Sequence, residues 1–170
     1  MGFEIERKWL LDTPIQDEVM QLIKCVTPSL VEQAYLTFDD PCVRIRKVQR
    51  CNSAVAKTYM TVKGKGDLCR AEVESPIPAE FYASLMSQFV NRKPIEKVYY
   101  KIPFQNKLDP DHEYCFEISH IDGLWWCVEI EFPNEELANN FVVPSWFGRD
   151  VTYEDQFKLA VYAKTRPQYR

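Results

Sequence analysis

The 170-residue chain is short of the groups that announce several common functions. Its only histidines are His112 and His120, and none of its six cysteines (Cys25, Cys42, Cys51, Cys69, Cys115 and Cys127) pair in CxxC spacing. A zinc site of the usual Cys/His kind has little support, and both histidines read as loop or strand-end residues. The cysteines read as reduced thiols, because a chain of this size does not need bridges to fold and no export signal is visible, with Glu4 and Glu6 so early. No apolar run approaches the ~20 residues that span a bilayer. Gly64-Lys65-Gly66 lacks both the GxxxxGK[ST] spacing and the following helix of a P-loop. Nor does one charge dominate: 25 acidic against 21 basic residues give a net charge of -4, which offers no global reason to expect nucleic-acid binding. No linker or low-complexity tract interrupts the chain, so the expectation is one domain over 1–170, cytoplasmic by default.

What is present is core-forming residues and β pattern. A hydrophobic content of 46% with 14% aromatics is ample for a sizeable core. The stretch FEIERKWLL, 3–11, places Phe3, Ile5 and Trp9 on one strand face and Glu4, Glu6 and Lys8 on the other. Similar alternation predicts strands near 3–11, 32–38, 42–50, 56–63, 69–76, 96–104, 112–119 and 124–132. Gly64-Lys65-Gly66-Asp67 and Asp122-Gly123 are turn chemistry that joins neighbours as antiparallel hairpins. Helix signals are fewer. Thr13-Pro14-Ile15-Gln16 reads as a capped start for a helix over 14–24 with Ile15, Val19, Leu22 and Ile23 on one face. A second helix is expected from near Pro78 with Phe81, Leu85 and Phe89, a short third after Asn134, and a last after Thr152 with Asp155 in the box position.

Glu-x-Glu occurs on three predicted strands, at Glu4/Glu6, Glu72/Glu74 and Glu129/Glu131, each pair sharing a face. Arg44/Arg46, Lys63, Lys97 and Glu117 continue the theme. Any one of these could decorate a wet sheet face with weak ion pairs. Their recurrence favours a closed sheet, which has no edges to protect, with the apolar face outward beneath helices and the charged face lining a lumen. Such a lumen must be wet, mutually neutralising or filled by ligand, because unpaired buried charge costs several kcal/mol per ion. Paired carboxylates collect hard divalent cations, and Arg and Lys clusters bind phosphate oxygens. Together they describe a site for a metal-polyphosphate.

At this point the residues resemble a known family. EIERK at 4–8 is similar to the ExExK signature of the CYTH superfamily, the triphosphate tunnel metalloenzymes, which include inorganic triphosphatases, thiamine triphosphatases and class IV adenylate cyclases. VRIR at 43–46, TVKGKGDLCRAEVE at 61–74, IEK at 95–97, VEIEF at 128–132 and GRDVT at 148–152 continue the likeness in order across nearly the whole chain. The resemblance implies a single CYTH domain of α+β class: an eight-stranded antiparallel closed β-barrel, the triphosphate tunnel, with flanking helices. It implies that Glu4, Glu6, Glu131 and Glu129 resemble metal ligands for Mg²⁺ or Mn²⁺. Glu129 also joins Glu72, Glu74 and Glu117 in placing a second metal or the attacking water. Arg44, Arg46, Lys63 and Lys97 would hold the phosphate chain, with Lys8 orienting the terminal phosphate and Arg70 adding a contact. Arg70 and Lys65 are the two most easily read as plain surface residues.

Two positions depart from the family pattern. Tyr99 stands where K-x-R would place an arginine after Lys97, and Cys115 stands where a glutamate commonly precedes Glu117, so one basic and one acidic lining group are missing together. The expected function is a metal-dependent triphosphatase acting on tripolyphosphate or an organic or nucleoside triphosphate. The alternatives are an adenylate cyclase making cyclic AMP from ATP, for which no adenine pocket is evident, and a non-catalytic binder of polyphosphate or nucleotide. The expected partner is a triphosphate-containing small molecule rather than nucleic acid or membrane, with a homodimer left open.

Overall fold

The alternating segments become eight strands: β1 (Gly2–Leu11), β2 (Ser29–Thr37), β3 (Cys42–Arg50), β4 (Ala56–Lys63), β5 (Cys69–Pro76), β6 (Ile95–Asn106), β7 (Asp109–Ile121) and β8 (Trp125–Glu131). The computed structural model describes residues 2–167; Met1 and 168–170, the ends of the expected 1–170 domain, lie outside the described residues. Every neighbouring pair is antiparallel, and the strands close in the order β1-β5-β4-β3-β2-β6-β7-β8. All six cysteines are free thiols. Among the described residues no helix is long and apolar enough to cross a membrane.

The pleat sends the apolar half of each strand outward. Trp9, Phe116, Ile118, Val128 and Ile130 are buried beneath α1 (Asp17–Lys24), α3 (Glu135–Asn139) and the aromatic segment carrying Phe141, Trp146 and Phe147. Fully burying such side chains contributes about 1.5–3 kcal/mol each, so closing the barrel with its charges inward still leaves a conventional core on the outside. A second outer cluster joins Ala34 and Ile45 to Tyr82 of α2 (Ala79–Phe89).

Helix starts and faces differ from the sequence expectation in three places. α1 begins at Asp17 rather than Pro14; Gln16 occupies the N-cap position without a side-chain bond, and the Thr13-Pro14 peptide is cis. Its bounds follow the buried pair Val19 and Ile23, with Asp17 and Glu18 complementing the N-terminal dipole. On α2 the inward residue is Tyr82, whose hydroxyl donates to Glu32 Oε1 at 2.8 Å, while Phe81 and Phe89 are 47% and 63% exposed. A tyrosine can bury its ring and still satisfy a strand carboxylate, which phenylalanine cannot. Thr152 does not cap the last helix. A 3₁₀ turn (Asp155–Phe157) leads into α4 (Leu159–Thr165), and Thr152 is committed to β1 instead. The short third helix follows Asn134 as expected, and Asn134 caps it, its Oδ1 accepting from Leu137 N at 2.8 Å.

α4 covers one mouth of the barrel. Leu159 and Ala163 pack on Ile95, Ile121 and Cys127, and polar contacts hold the helix to the loops around that mouth: Lys158 to Asp67, Lys164 to Asp39 at 3.2 Å, and both Arg166 and Tyr162 to Asp122. Asp122 and Gly123 take positive φ (51° and 70°) in the tight β7–β8 turn, a conformation that Asp tolerates and Gly adopts freely.

Candidate active site

Inside the barrel a cavity of about 690 Å³ is lined by the inward half of the pleat. Projecting from the strands are seven carboxylates (Glu4, Glu6, Glu72, Glu74, Glu117, Glu129 and Glu131) and seven bases (Lys8, Arg44, Arg46, Lys63, Arg70, Lys97 and Lys101). The equality answers the cost of burying them: the lumen neutralises itself. The charges are not mixed at random, however. β1, β7 and β8 supply five carboxylates on adjacent strands, and β5, β4 and β3, which continue the barrel from the other edge of β1, supply four bases.

The acidic wall has a focus. Glu4, Glu6 and Glu131 each offer an oxygen within 4.8 Å of the others, since Glu4 and Glu6 share a face of β1 and Glu131 is the cross-strand partner of Glu6. Burial, then Glu129 and then Glu4, push Glu6 up to about 8. Burial, then Glu117 and then Glu4, push Glu131 up to about 7. Glu4 is different: burial would raise it, but Lys63, a hydrogen bond with Glu72, and Arg70 together hold it below the usual carboxylate range. A hard divalent cation suits three convergent carboxylates, two of which resist ionising without one. Glu129 lies outside this trio. It sits opposite Lys8 in register, with Lys8 Nζ at 2.5 Å from its Oε1; burial opposes its ionisation, but Lys8 and Lys97 outweigh burial and hold it low.

The bases are held ready by carboxylates, Glu74 and Glu72 outside the trio and Glu4 and Glu6 within it. Glu74 accepts from Arg46 Nη2 at 2.9 Å, Arg44 Nη2 at 3.4 Å and Thr61 Oγ1 at 2.8 Å. Lys63 Nζ bridges Glu4 at 2.8 Å and Glu72 at 2.6 Å, while Arg70 reaches Glu4 at 2.8 Å and Glu6 at 3.8 Å. The Nε atoms of Arg44 and Arg46 are buried with no hydrogen-bond partner. Arg70 is thus a lining residue, whereas Lys65, with its side chain 85% exposed, is a surface one.

One departure from the family pattern, Tyr99, lies on β6, and the other, Cys115, on β7. Tyr99 lies over Lys97, whose Nζ is 5.8 Å from the ring centroid; burial, and then Glu117, keep the phenol from ionising. Lys101, one pleat further, pairs with Glu117 at 3.0 Å. A basic group therefore stands on the same strand face as the absent arginine, nearer the open mouth. Lys97 is buried, and burial pulls its pKa down although Glu129 opposes this.

The structure brings every expected site residue to one lumen. Those overlooked are Gln33, Tyr35, Thr61 and Ser119, all inward and neutral. Gln33 and Tyr35 are marked by the alternation in 32–37, although neither carries a charge. Arg7, Asp150 and Thr152 lie within the EIERK and GRDVT stretches, but no sequence signal shows that the two stretches touch.

No family model matches the chain. The comparison with individual proteins is decisive. An inorganic triphosphatase of Nitrosomonas europaea is 31% identical over 168 residues, covering 96% of this chain and 99% of the relative. One of Acetivibrio thermocellus is 32% identical over 159 residues, covering 92% and 90%. The crystal structure of an inorganic triphosphatase superposes with a TM-score of 0.58 at 28% identity, covering 98% of each chain. With the closed barrel, its charged lumen and full-length likeness in hand, the chain belongs to the CYTH superfamily of triphosphate tunnel metalloenzymes.

Proposed function

We propose that this chain is a divalent-metal-dependent hydrolase of triphosphates, with inorganic tripolyphosphate as the first substrate and Mg²⁺ or Mn²⁺ as the cation. The observation that carries the reading is the meeting in one bore of the Glu4/Glu6/Glu131 trio with four bases, Arg70 and Lys63 in contact with Glu4 and Arg44 and Arg46 on β3 beyond them. Supporting it, two relatives that are inorganic triphosphatases align with this chain over 99% and 90% of their own length. When bound to the trio, a divalent cation supplies neutralisation of phosphate oxygens and a more acidic water.

The chain's own residues supply the rest. Arg44 and Arg46, pre-aligned by Glu74, present guanidinium edges to the phosphate oxygens, and Lys63 and Arg70 face the same chain of phosphates. Charge spreading over the transferred phosphoryl group in an in-line displacement is stabilised by such fixed donors without reorganisation. Lys8 stays protonated beside Glu129: burial alone would lower its pKa, but Glu129 more than offsets this. Glu72, raised by burial and by its contact with Glu4, is the carboxylate next to the trio that accepts a proton from the attacking water. No side chain has to form a covalent intermediate.

Product analysis tests the reading. The chain is incubated with tripolyphosphate and with ATP in Mg²⁺ or Mn²⁺, and phosphate, pyrophosphate and cyclic AMP are measured. Phosphate release from tripolyphosphate is expected. Cyclic AMP with pyrophosphate would make it a cyclase, and binding without turnover a silent binder.

A further inference from the structure

β1 outruns one of its partners. Its pairing with β5 ends at Ile5↔Cys69, and Glu6 N still reaches Leu68 O at 3.0 Å before the other strand turns away. The vacated edge is taken up by 148–152. Gly148 N donates to Leu10 O at 2.9 Å, Leu10 N to Arg149 O at 2.9 Å, and Val151 N to Lys8 O at 2.8 Å. Where a sheet would next offer a carbonyl, the main-chain N–H of Lys8 instead donates to Thr152 Oγ1, at 3.0 Å.

That hydroxyl is itself fixed. Thr152 Oγ1 donates to Asp150 Oδ1 at 2.6 Å, and Thr152 N donates to the same oxygen at 2.9 Å. The other carboxylate oxygen of Asp150 accepts from Arg7 Nη2 at 2.5 Å, and Arg7 Nη1 donates to Ala138 O at 2.8 Å. Thr152 is 7% exposed. The close approach at the start of the segment needs glycine, since a Cβ on Gly148 would lie 2.7 Å from Leu10 O. Lys8, the residue so anchored, carries its Nζ to Glu129 in the lumen and to Phe157 O at 3.3 Å.

We propose that Thr152 is a positioning residue for Lys8: it acts on the lumen through the main chain of Lys8 and does not touch substrate. The proposal rests on the reading of the lumen as a triphosphate site.

The test is a double-mutant cycle read by calorimetric titration with tripolyphosphate in the absence of metal, with thermal melting and phosphate release measured alongside. Leaving the Lys8 N–H buried and unpaired in Thr152→Val should weaken binding by about tenfold, within the roughly 5- to 150-fold span of such losses. Thr152→Ser, which restores the hydroxyl, should bind within about threefold of wild type. In a Lys8→Met background Thr152→Val should change affinity by less than about twofold, because the group it positions is gone. Should Thr152→Val fail to fold, Asp150→Asn loosens the same hydroxyl and should weaken binding by about threefold. A lowered melting temperature with unchanged affinity, no rescue by serine, or an equal loss in both backgrounds overturns the proposal. If wild type binds with this coupling yet releases no phosphate, the hydrolase reading falls and the positioning role stands; if wild type does not bind tripolyphosphate, both fall.

Discussion

Glu6 and Glu131 stand opposite each other in register across β1 and β8, both pointing into the same lumen. With Glu6 raised to about 8 and Glu131 to about 7, the folded chain holds protons that the unfolded chain releases from the ordinary 4.5 upward. Stability without a cation therefore falls as pH rises from that value toward 8 and levels off above it. Glu4 and Glu129, held low, work the other way, but their contribution is lost only as pH falls below the ordinary carboxylate range. Thermal melting in chelator should show a decline between about pH 5.5 and 8.5 that is much reduced in Glu6→Gln. A wild-type melting temperature that is flat or rises across that window would contradict the assignment.

Divalent cation should compete with those protons. Mn²⁺ affinity, measured by calorimetry, should increase over the same pH window. Glu6→Gln should lose more than the roughly 10- to 100-fold typical of removing an outer-sphere partner, since it removes a ligand. Its circular dichroism should remain that of wild type, because a wet, neutralised lumen tolerates the loss of one carboxylate.

Glu74 separates phosphate contacts from metal contacts. Removing one charge-assisted hydrogen bond costs about 1.5–3 kcal/mol, so Arg44→Ala or Arg46→Ala should weaken tripolyphosphate use by roughly 10- to 150-fold. Glu74→Gln, which leaves both guanidinium groups in place but less firmly aligned, should lose less than either, about three- to tenfold in kcat/KM. Metal affinity should hardly move in any of the three. A Glu74→Gln variant as metal-deficient as Glu6→Gln would place that carboxylate in the metal site instead.

Lys101 is expected to stand in for the arginine that Tyr99 replaces. Its side chain is 57% exposed, so solvent screens it, and Lys101→Ala should cost less than Arg44→Ala, about three- to tenfold on tripolyphosphate. Tyr99→Arg would set a third cation beside Lys97 and Lys101 and remove the phenol from Glu117; no gain is expected. A tenfold gain in kcat/KM on tripolyphosphate from Tyr99→Arg would show that Lys101 does not serve this role.

Most of the barrel was legible because most of its strands, β2 apart, alternate charge and apolarity, and a closed sheet is the arrangement that gives both faces an environment. The site followed from the same alternation: charges at Glu4, Glu6, Arg44 and Arg46 had to share an interior. Helix faces were less legible, since Phe81 is as apolar as Tyr82 but cannot bond Glu32, and that partner is visible only once β2 and α2 are side by side. The helical spacing of Ile15 hid a start set by Val19 and Ile23. Least legible was Thr152. Its placement before a helix resembles a cap, and its actual partner, the main chain of Lys8, is 144 residues away.

On the proposed function, the Glu4/Glu6/Glu131 trio binds the cation needed for cutting a triphosphate held by the bases of the same lumen. The most direct measurement is phosphate release from tripolyphosphate by wild type and Glu6→Gln as Mg²⁺ or Mn²⁺ is titrated into metal-stripped protein. No release without metal, saturable release by wild type, and none by a folded Glu6→Gln are expected. Equal release by both proteins, or release by wild type in excess chelator, would contradict the proposed function.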